Sequence, residues 1–506
     1  MAPTIETSNL LNLRPAVALP ILVAVLLAGY VIASIIYNLF LSPLSKIPGP
    51  KLWAISQFPY SYLMVSGEGH KRMQKLHEKY GDVVRVAPNQ VAFLDPRAWK
   101  ETMGHRRARQ LENGKDPVFY ALAKRGLIGP ISAEEHGRQR RILSHGFSSQ
   151  ALMEQQPLIQ QYVDLLMQRL RENCQDGTRA LDITKWYNWT TFDIIGDLAF
   201  GDPFGCLSES NYHPWVSMIF QSIKQGVRLI ALRRSFPSVD RFVQTHLLGI
   251  LAAKRQQHQQ LVRSKVTKRM SLEEYRPDFM HAMLGKYAEG KEKLSMGQIL
   301  ANASLLIIAG SETTATALSG ATYLLCANPD TLAKLTEEVR SVFSSEDEIT
   351  LLSMQKLKYM LAVLDESLRM FPPVPVSLPR AVHQGGDVFC DTFLPEKTIV
   401  HIWQYPTYRS PKNFALPDSF IPERWLGDPR FADDRKEALQ PFSHGPRNCL
   451  GKNLAYAEMR LILARIIWNF DMKLANRDEK WIDNNEVYTT WEKKPLNIYL
   501  SQRKIE

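Results

Sequence analysis

Residues 441–451 read PFSHGPRNCLG, with Phe442, Gly445, Arg447, Cys449 and Gly451 in the spacing Phe-x-x-Gly-x-Arg-x-Cys-x-Gly. A cysteine binds metal as its thiolate, and a free thiol is mostly protonated at neutral pH. The residues after Gly451, KNLAYAEMRLILARIIWNF, carry helical periodicity. The spacing therefore predicts Cys449 just ahead of a helix N-terminus, where partial positive charge favours an anion. Arg447 adds a full positive charge two residues away. Gly445 and Gly451 allow a tight loop and close approach of a flat ligand to the backbone, and Phe442 can cover the sulfur. A buried structural cysteine is the commoner fate of a lone thiol, but it does not require the rest of this pattern.

A second stretch breaks packing logic. Ser295 to Leu325 is an apolar helix pattern that contains Ala309-Gly310-Ser311-Glu312-Thr313-Thr314. Unpaired polar groups are costly when buried, and a mid-helix glycine weakens the helix. Hydroxyl back-bonding in a bent helix is the plain alternative.

These stretches resemble the haem-ligand loop and the oxygen-activation segment of the cytochrome P450 family. The resemblance runs from the N-terminal anchor nearly to the C-terminus and implies a mainly α fold with a minor β region. Haem b would lie between the Ala309–Thr314 helix and the loop, with Cys449 as axial ligand to iron. The resemblance further implies a gap beside Gly310 that accommodates dioxygen, with Thr313 and Glu312 delivering protons to it. Glu134 to Phe147 reads as a basic helix and stands where the family has Trp-x-x-x-Arg. Arg140 fills the arginine position as a haem-propionate partner, while His136 replaces the tryptophan as a second donor. Arg380, in VPVSLPRAV, is a further propionate partner by the same resemblance, with Val374, Val376 and Leu378 facing substrate.

Glu366-x-x-Arg369 places an acid and a base on one helix face. Family members add an arginine from a Pro-Glu-Arg segment, here Arg424. The resemblance implies a structural carboxylate–guanidinium trio of Glu366, Arg369 and Arg424. The implied reaction is insertion of one oxygen atom from O2 into a lipophilic small molecule. Electrons come from NADPH through the membrane-bound cytochrome P450 reductase, with cytochrome b5 as a candidate second donor. The pattern is most similar to fungal members of secondary-metabolite pathways, which suggests a terpenoid, polyketide or alkaloid substrate. Desaturation, ring formation or rearrangement are alternatives within the family. A haem carrier or sensor without turnover is an alternative outside it.

Composition sets the bounds. The chain has 506 residues, 45% hydrophobic, and a net charge of +11. The basic residues form short clusters that suit an anionic lipid surface or an acidic partner; no zinc-finger spacing or RNA-binding signature points to nucleic acid. Five scattered cysteines with no CxxC pair suit a reducing compartment. Residues 1–14 are polar, and 15–42 are apolar and long enough to span a bilayer. Residues 43–55 form a proline-rich hinge, in which Pro43, Pro48 and Pro50 of SPLSKIPGP make a stiff, non-helical connector, and 56–506 form one catalytic domain. Lys46, Lys51, Lys71 and Arg72 follow the span while Arg14 precedes it, which orients a single-pass anchor with the catalytic domain in the cytosol. The resemblance makes the membrane that of the endoplasmic reticulum. Val83 to Leu94 reads as two strands around a Pro-Asn turn, Phe119 and Tyr120 as exposed loop aromatics, and Pro395–Thr398 as a hairpin turn. The Asn188 and Asn302 sequons read as accidental.

Overall fold

The computed structural model describes residues 15–504 apart from 107–109, 122, 124, 247, 273–274, 285–292 and 478–479. Helices dominate. The central one, Met296–Ala327, starts at a capping box in which Ser295 Oγ accepts from Gln298 N and Gln298 Oε1 from Ser295 N, satisfying two otherwise orphaned donors. Ile183–Phe200 packs along it and is buried along almost its whole length, with buried polar groups paired, as where Asp193 accepts from Phe204 N, Cys206 N and Leu207 N. Gly201, at φ +64°, ends that helix in the left-handed conformation. Lys358–Met370 and Lys452–Asn469 pack against the central helix from other sides. The buried apolar core runs through these elements.

The sheet structure is minor and peripheral to this bundle. The largest sheet orders its strands Val83–Ala87, Gln90–Phe93, Ile399–Ile402, Arg380–Ala381 and Gly114–Lys115. Val83–Ala87 and Gln90–Phe93 pair antiparallel, as the Pro-Asn turn predicts. Lys397 does turn the chain, at φ +64°. The flanking strands, however, do not form a hairpin: Thr392–Leu394 pairs with Asp387–Phe389, and Ile399–Ile402 joins the large sheet. Local turn residues set a reversal of direction; the partners are set by what lies across the core.

Ala18–Leu41 is long and apolar enough to cross a membrane, and none of it is buried in protein. The following connector is less free than its prolines suggest. Arg85 N donates to Pro48 O, and the Arg85 guanidinium donates to Asn38 O at 2.7 Å and to Asn38 Oδ1. A Cβ on Gly49 would sit 2.3 Å from Arg85 O. The connector is thus pinned along the sheet edge. Residues 42–50 are non-helical, as their prolines lead one to expect, and a short helix, Lys51–Ile55, follows Pro50. Tyr120 is buried rather than exposed. Asn188 and Asn302 are both buried in helices, and Asn302 is hydrogen-bonded to Gln139 Oε1 and Leu127 N, so neither is open to a glycan.

Candidate active site

The 441–451 loop is built against the end of the Arg97–Met103 helix. Gly445 has φ +77°, and a Cβ there would lie 1.8 Å from Met103 O, so both conformation and space require glycine. Cys449 N donates to Phe442 O at 2.8 Å and closes the loop. Phe442 packs on Tyr456, ring centroids 5.2 Å apart. Gly451 is different: its φ is −85°, and a Cβ would meet only Phe147, at 3.7 Å. The fold alone does not demand glycine there, whereas a flat group lying on the loop would.

Cys449 as a residue is exposed, the other four cysteines being buried, although protein crowds round its thiol. The loop is followed at once by the Lys452–Asn469 helix. Surrounding protein pushes the thiol above its ordinary value, offset in part by the Gly451 N–H and by Arg140 and Lys452. This corrects the role expected of Arg447. Its guanidinium is engaged by Glu112, with Nε 2.6 Å from Oε1, and by Ile131 O, and the cations acting on the thiol are Arg140 and Lys452. Arg140 instead caps the loop, donating to Asn448 O at 2.7 Å and to Asn448 Oδ1 at 2.5 Å. The fold presents a thiol, and a bound metal ion deprotonates a coordinating thiol outright.

On one side of the loop the chain gathers more cations than it can neutralise. Arg447, Arg380, Lys115 and His136 surround the Glu112 carboxylate, Arg380 Nη1 lying 4.0 Å from Glu112 Oε1. Burial, Arg380 and Arg447 push Lys115 down to about 6. Burial, Arg447 and Lys115 push His136 down to about 3, so the imidazole is neutral at pH 7 and can donate one hydrogen bond. Burial alone would raise Glu112, but Arg447 and Arg380 hold it below the usual carboxylate range. Arg380 Nε and Nη1 and Arg447 Nη1 are buried with no hydrogen-bond partner among the described residues. Orphaned, charged donors are costly. A ligand bearing two carboxylates would satisfy them, and haem b is such a ligand; the residues present fit it.

The central helix carries the second motif. Leu305, Ala309 and Thr313, four residues apart, form a stripe that is only partly covered, Ala309 being exposed. Thr313 Oγ1 donates back to Ala309 O at 2.5 Å. The space beside Gly310 is not empty: a Cβ would meet Ile195 Cδ1 at 2.6 Å. Glycine there lets the Ile183–Phe200 helix approach closely, which corrects the expectation of a gap on that side. Glu312 lies off the stripe, ion-paired with Lys493 and hydrogen-bonded to Thr316. Thr314 hydrogen-bonds Glu458, a fully buried acid on the Lys452–Asn469 helix that burial pushes up to about 8.

Glu366, Arg369 and Arg424 meet as expected, all fully buried. Arg369 grips both Glu366 oxygens at 2.8 and 2.9 Å, and Arg424 Nε reaches Oε1 at 3.1 Å. The sequence reading missed the rest of the set. Trp425 Nε1 and Ile421 N also donate to Glu366, and Asp434 pairs with Arg424. Two arginines thus face two carboxylates. Glu112, Lys115, Glu458 and Lys493 were missed as well, since each gains its meaning from a partner far along the chain. Val374 and Leu378 are half-buried beside Arg380, whereas Val376 is buried.

The family model described as Cytochrome P450 matches residues 45–500. The trichothecene C-15 hydroxylase of Fusarium sporotrichioides is 47% identical over 480 residues, 94% of this chain and 96% of that protein. The cytochrome P450 monooxygenase astJ of Aspergillus oryzae is 45% identical, over 93% and 94%, and the averantin hydroxylase of Dothistroma septosporum 43%, over 94% and 90%. The chain belongs to the cytochrome P450 family, as a haem-thiolate monooxygenase that takes electrons from NADPH through a reductase.

Proposed function

We propose that this enzyme hydroxylates a lipophilic terpenoid, polyketide or alkaloid intermediate of fungal secondary metabolism, from the membrane of the endoplasmic reticulum. Residues 15–42 anchor it, 43–55 connect, and 56–506 face the cytosol, where the cytochrome P450 reductase and cytochrome b5 dock. The names of the relatives, a trichothecene hydroxylase and an averantin hydroxylase, support the substrate class. The observation that carries the site is the surplus of buried cations around Glu112 with three orphaned guanidinium nitrogens, beside an exposed Cys449.

Haem held by a thiolate supplies reductive activation of dioxygen. The chain's own residues do the rest. Cys449 would hold the haem iron through its thiolate. Arg447 and Arg380 would hold the propionates through charge-assisted hydrogen bonds that fix orientation, and neutral His136 would add one donor. Arg140 holds the Asn448 carbonyl and so the loop beside the sulfur. Phe442, Gly445 and Gly451 shape that loop. Thr313 presents a hydroxyl to the pocket, Glu312 stands one residue behind it as proton donor, and Gly310 sets the depth of the helix wall. Glu366, Arg369 and Arg424 brace the fold beneath the loop.

The test is spectral and then catalytic. Reduced protein with carbon monoxide should give a thiolate-type Soret band, and Cys449→Ala should lose it. A band retained in that variant would remove Cys449 from the iron. With reductase present, extracts of a producing strain that lacks the enzyme should yield a product heavier by one oxygen atom. NADPH use without any oxygenated product would reject hydroxylation.

A further inference from the structure

Glu312 is not held by its own helix alone. Its Oε1 accepts from Thr316 Oγ1 at 3.2 Å and from Lys493 Nζ, and Lys493 Nζ also reaches Thr316 Oγ1 at 2.8 Å. The two charged side chains are 4% and 5% exposed. Its Oε2 is buried and has no hydrogen-bond partner among the described residues. Burying both ions of a pair carries a desolvation cost that their attraction barely offsets, so such a pair is poor evidence of stability.

The lysine arrives on a braced element. It follows the paired strands Glu486–Tyr488 and Thr490–Glu492. Trp491 Nε1 donates to Pro372 O at 2.7 Å, and its ring stacks on Phe371 at 4.2 Å. Lys494 N donates to Asn485 Oδ1, and Glu492 pairs with Lys224 at 2.8 Å. The ammonium is therefore placed by fixed backbone on both sides, not by a loose tail.

We propose that Lys493 is a positioning residue for oxygen activation: it pins one carboxylate oxygen of Glu312 in the helix wall and leaves the other free to take up and hand on a proton. The inference rests on the reading of Glu312 and Thr313 as the proton-delivering pair. Each proton that Oε2 passes inward is replaced by one from water, so the Glu312–Lys493 pair ends each cycle unchanged. Without the ammonium, the carboxyl loses its fixed orientation and its charged partner together.

The full-length, haem-loaded protein with its reductase tests this through Lys493→Met, Lys493→Gln, Lys493→Arg, Glu312→Gln and the double variant Glu312→Gln/Lys493→Met. Lys493→Met and Lys493→Gln should keep the thiolate-type band yet release several-fold more hydrogen peroxide per NADPH, with an enlarged solvent deuterium isotope effect. Lys493→Arg should stay near the wild type, and the double variant should be no worse than Glu312→Gln alone. In the resting protein, without turnover, infrared spectra of Lys493→Met should show an added protonated-carboxyl band near neutral pH that the double variant lacks. If Glu312→Gln itself leaves coupling unchanged, the proton-delivery reading fails. If Glu312→Gln uncouples while both neutral Lys493 variants do not, or if the double variant's loss is the sum of the singles, the positioning role alone is overturned.

Discussion

Single side chains on the central and Lys452–Asn469 helices carry the sharpest expectations. Thr313 Oγ1 is held by Ala309 O on the partly covered stripe of the central helix. Thr313→Ala should therefore leave haem binding intact and shift NADPH consumption from product to hydrogen peroxide; unchanged product per NADPH would take Thr313 out of proton delivery. Glu458 is a different case, because its partner is a hydroxyl and not a cation. Burial raises its carboxyl from 4.5 to about 8, so the native state holds the proton over a range in which the unfolded chain has released it. Stability from this group is intact below about 4.5 and falls as pH rises toward 8, by on the order of a few kcal/mol. Glu458→Gln keeps a hydrogen-bonding amide and has nothing to titrate. Its thermal midpoint should exceed the wild type's at pH 8 by more than at pH 5, by several degrees at roughly 2–4 °C per kcal/mol. Equal differences at the two pH values would show that Glu458 is already ionised. Thr313 and Cys449 stand out as candidates in the sequence because short motifs place them. Glu458 does not, since an acid within a helical pattern is ordinarily on a solvated face.

Elements are set by two kinds of contact, close backbone approach and closed charge sets. At Gly445 the loop touches the Arg97–Met103 helix so closely that Ala cannot fit, and the left-handed φ adds strain. Gly445→Ala should abolish haem incorporation while far-ultraviolet helicity stays largely unchanged; normal incorporation would mean that the loop can shift away from Met103. Beneath it, Glu366 receives hydrogen bonds from Arg369, Arg424, Trp425 and Ile421. Burial alone would raise its carboxyl, but Arg369 and Arg424 hold it low. Removing one member of a buried set strands the others, at about 3–5 kcal/mol. Glu366→Gln should thus lower the yield of folded, haem-loaded protein, read as the thiolate-type band per unit of protein. Helix positions were legible from periodicity, and the Glu366–Arg369 pair from its spacing of three. The Pro395–Thr398 turn shows the limit. Its reversal is local, but strand partnership depends on which sheet edge the rest of the chain leaves unpaired.

At the scale of the molecule, one uncovered apolar helix adjoins a surface with further exposed apolar residues. Leu52, Phe58, Tyr62, Phe236 and Phe242 are all about half exposed or more, and Phe58 and Phe236 face each other at 6.5 Å. Deleting residues 1–42 removes Glu6 and Arg14, one charge of each sign, so the net charge stays at 61 − 50 = +11. The shortened protein should keep its thiolate-type band. It should still float with anionic vesicles at low salt and leave them at high salt, while the full chain floats at both. No flotation at low salt would show that the anchor is the sole membrane contact. What the sequence by itself determined was the chemistry available and its order along the chain. The thiolate loop, the interrupted apolar helix, the acid–base pair and the anchor each lie within a short window, where spacing and periodicity speak directly. Only the tertiary structure decided which charge meets which. It sent Arg447 to Glu112 rather than to the sulfur, filled the space beside Gly310 with Ile195, and joined Glu312 to Lys493 across 181 residues. The reason is physical: a buried charge takes whichever partner packing brings within a few ångströms, and separation along the chain carries no record of that choice.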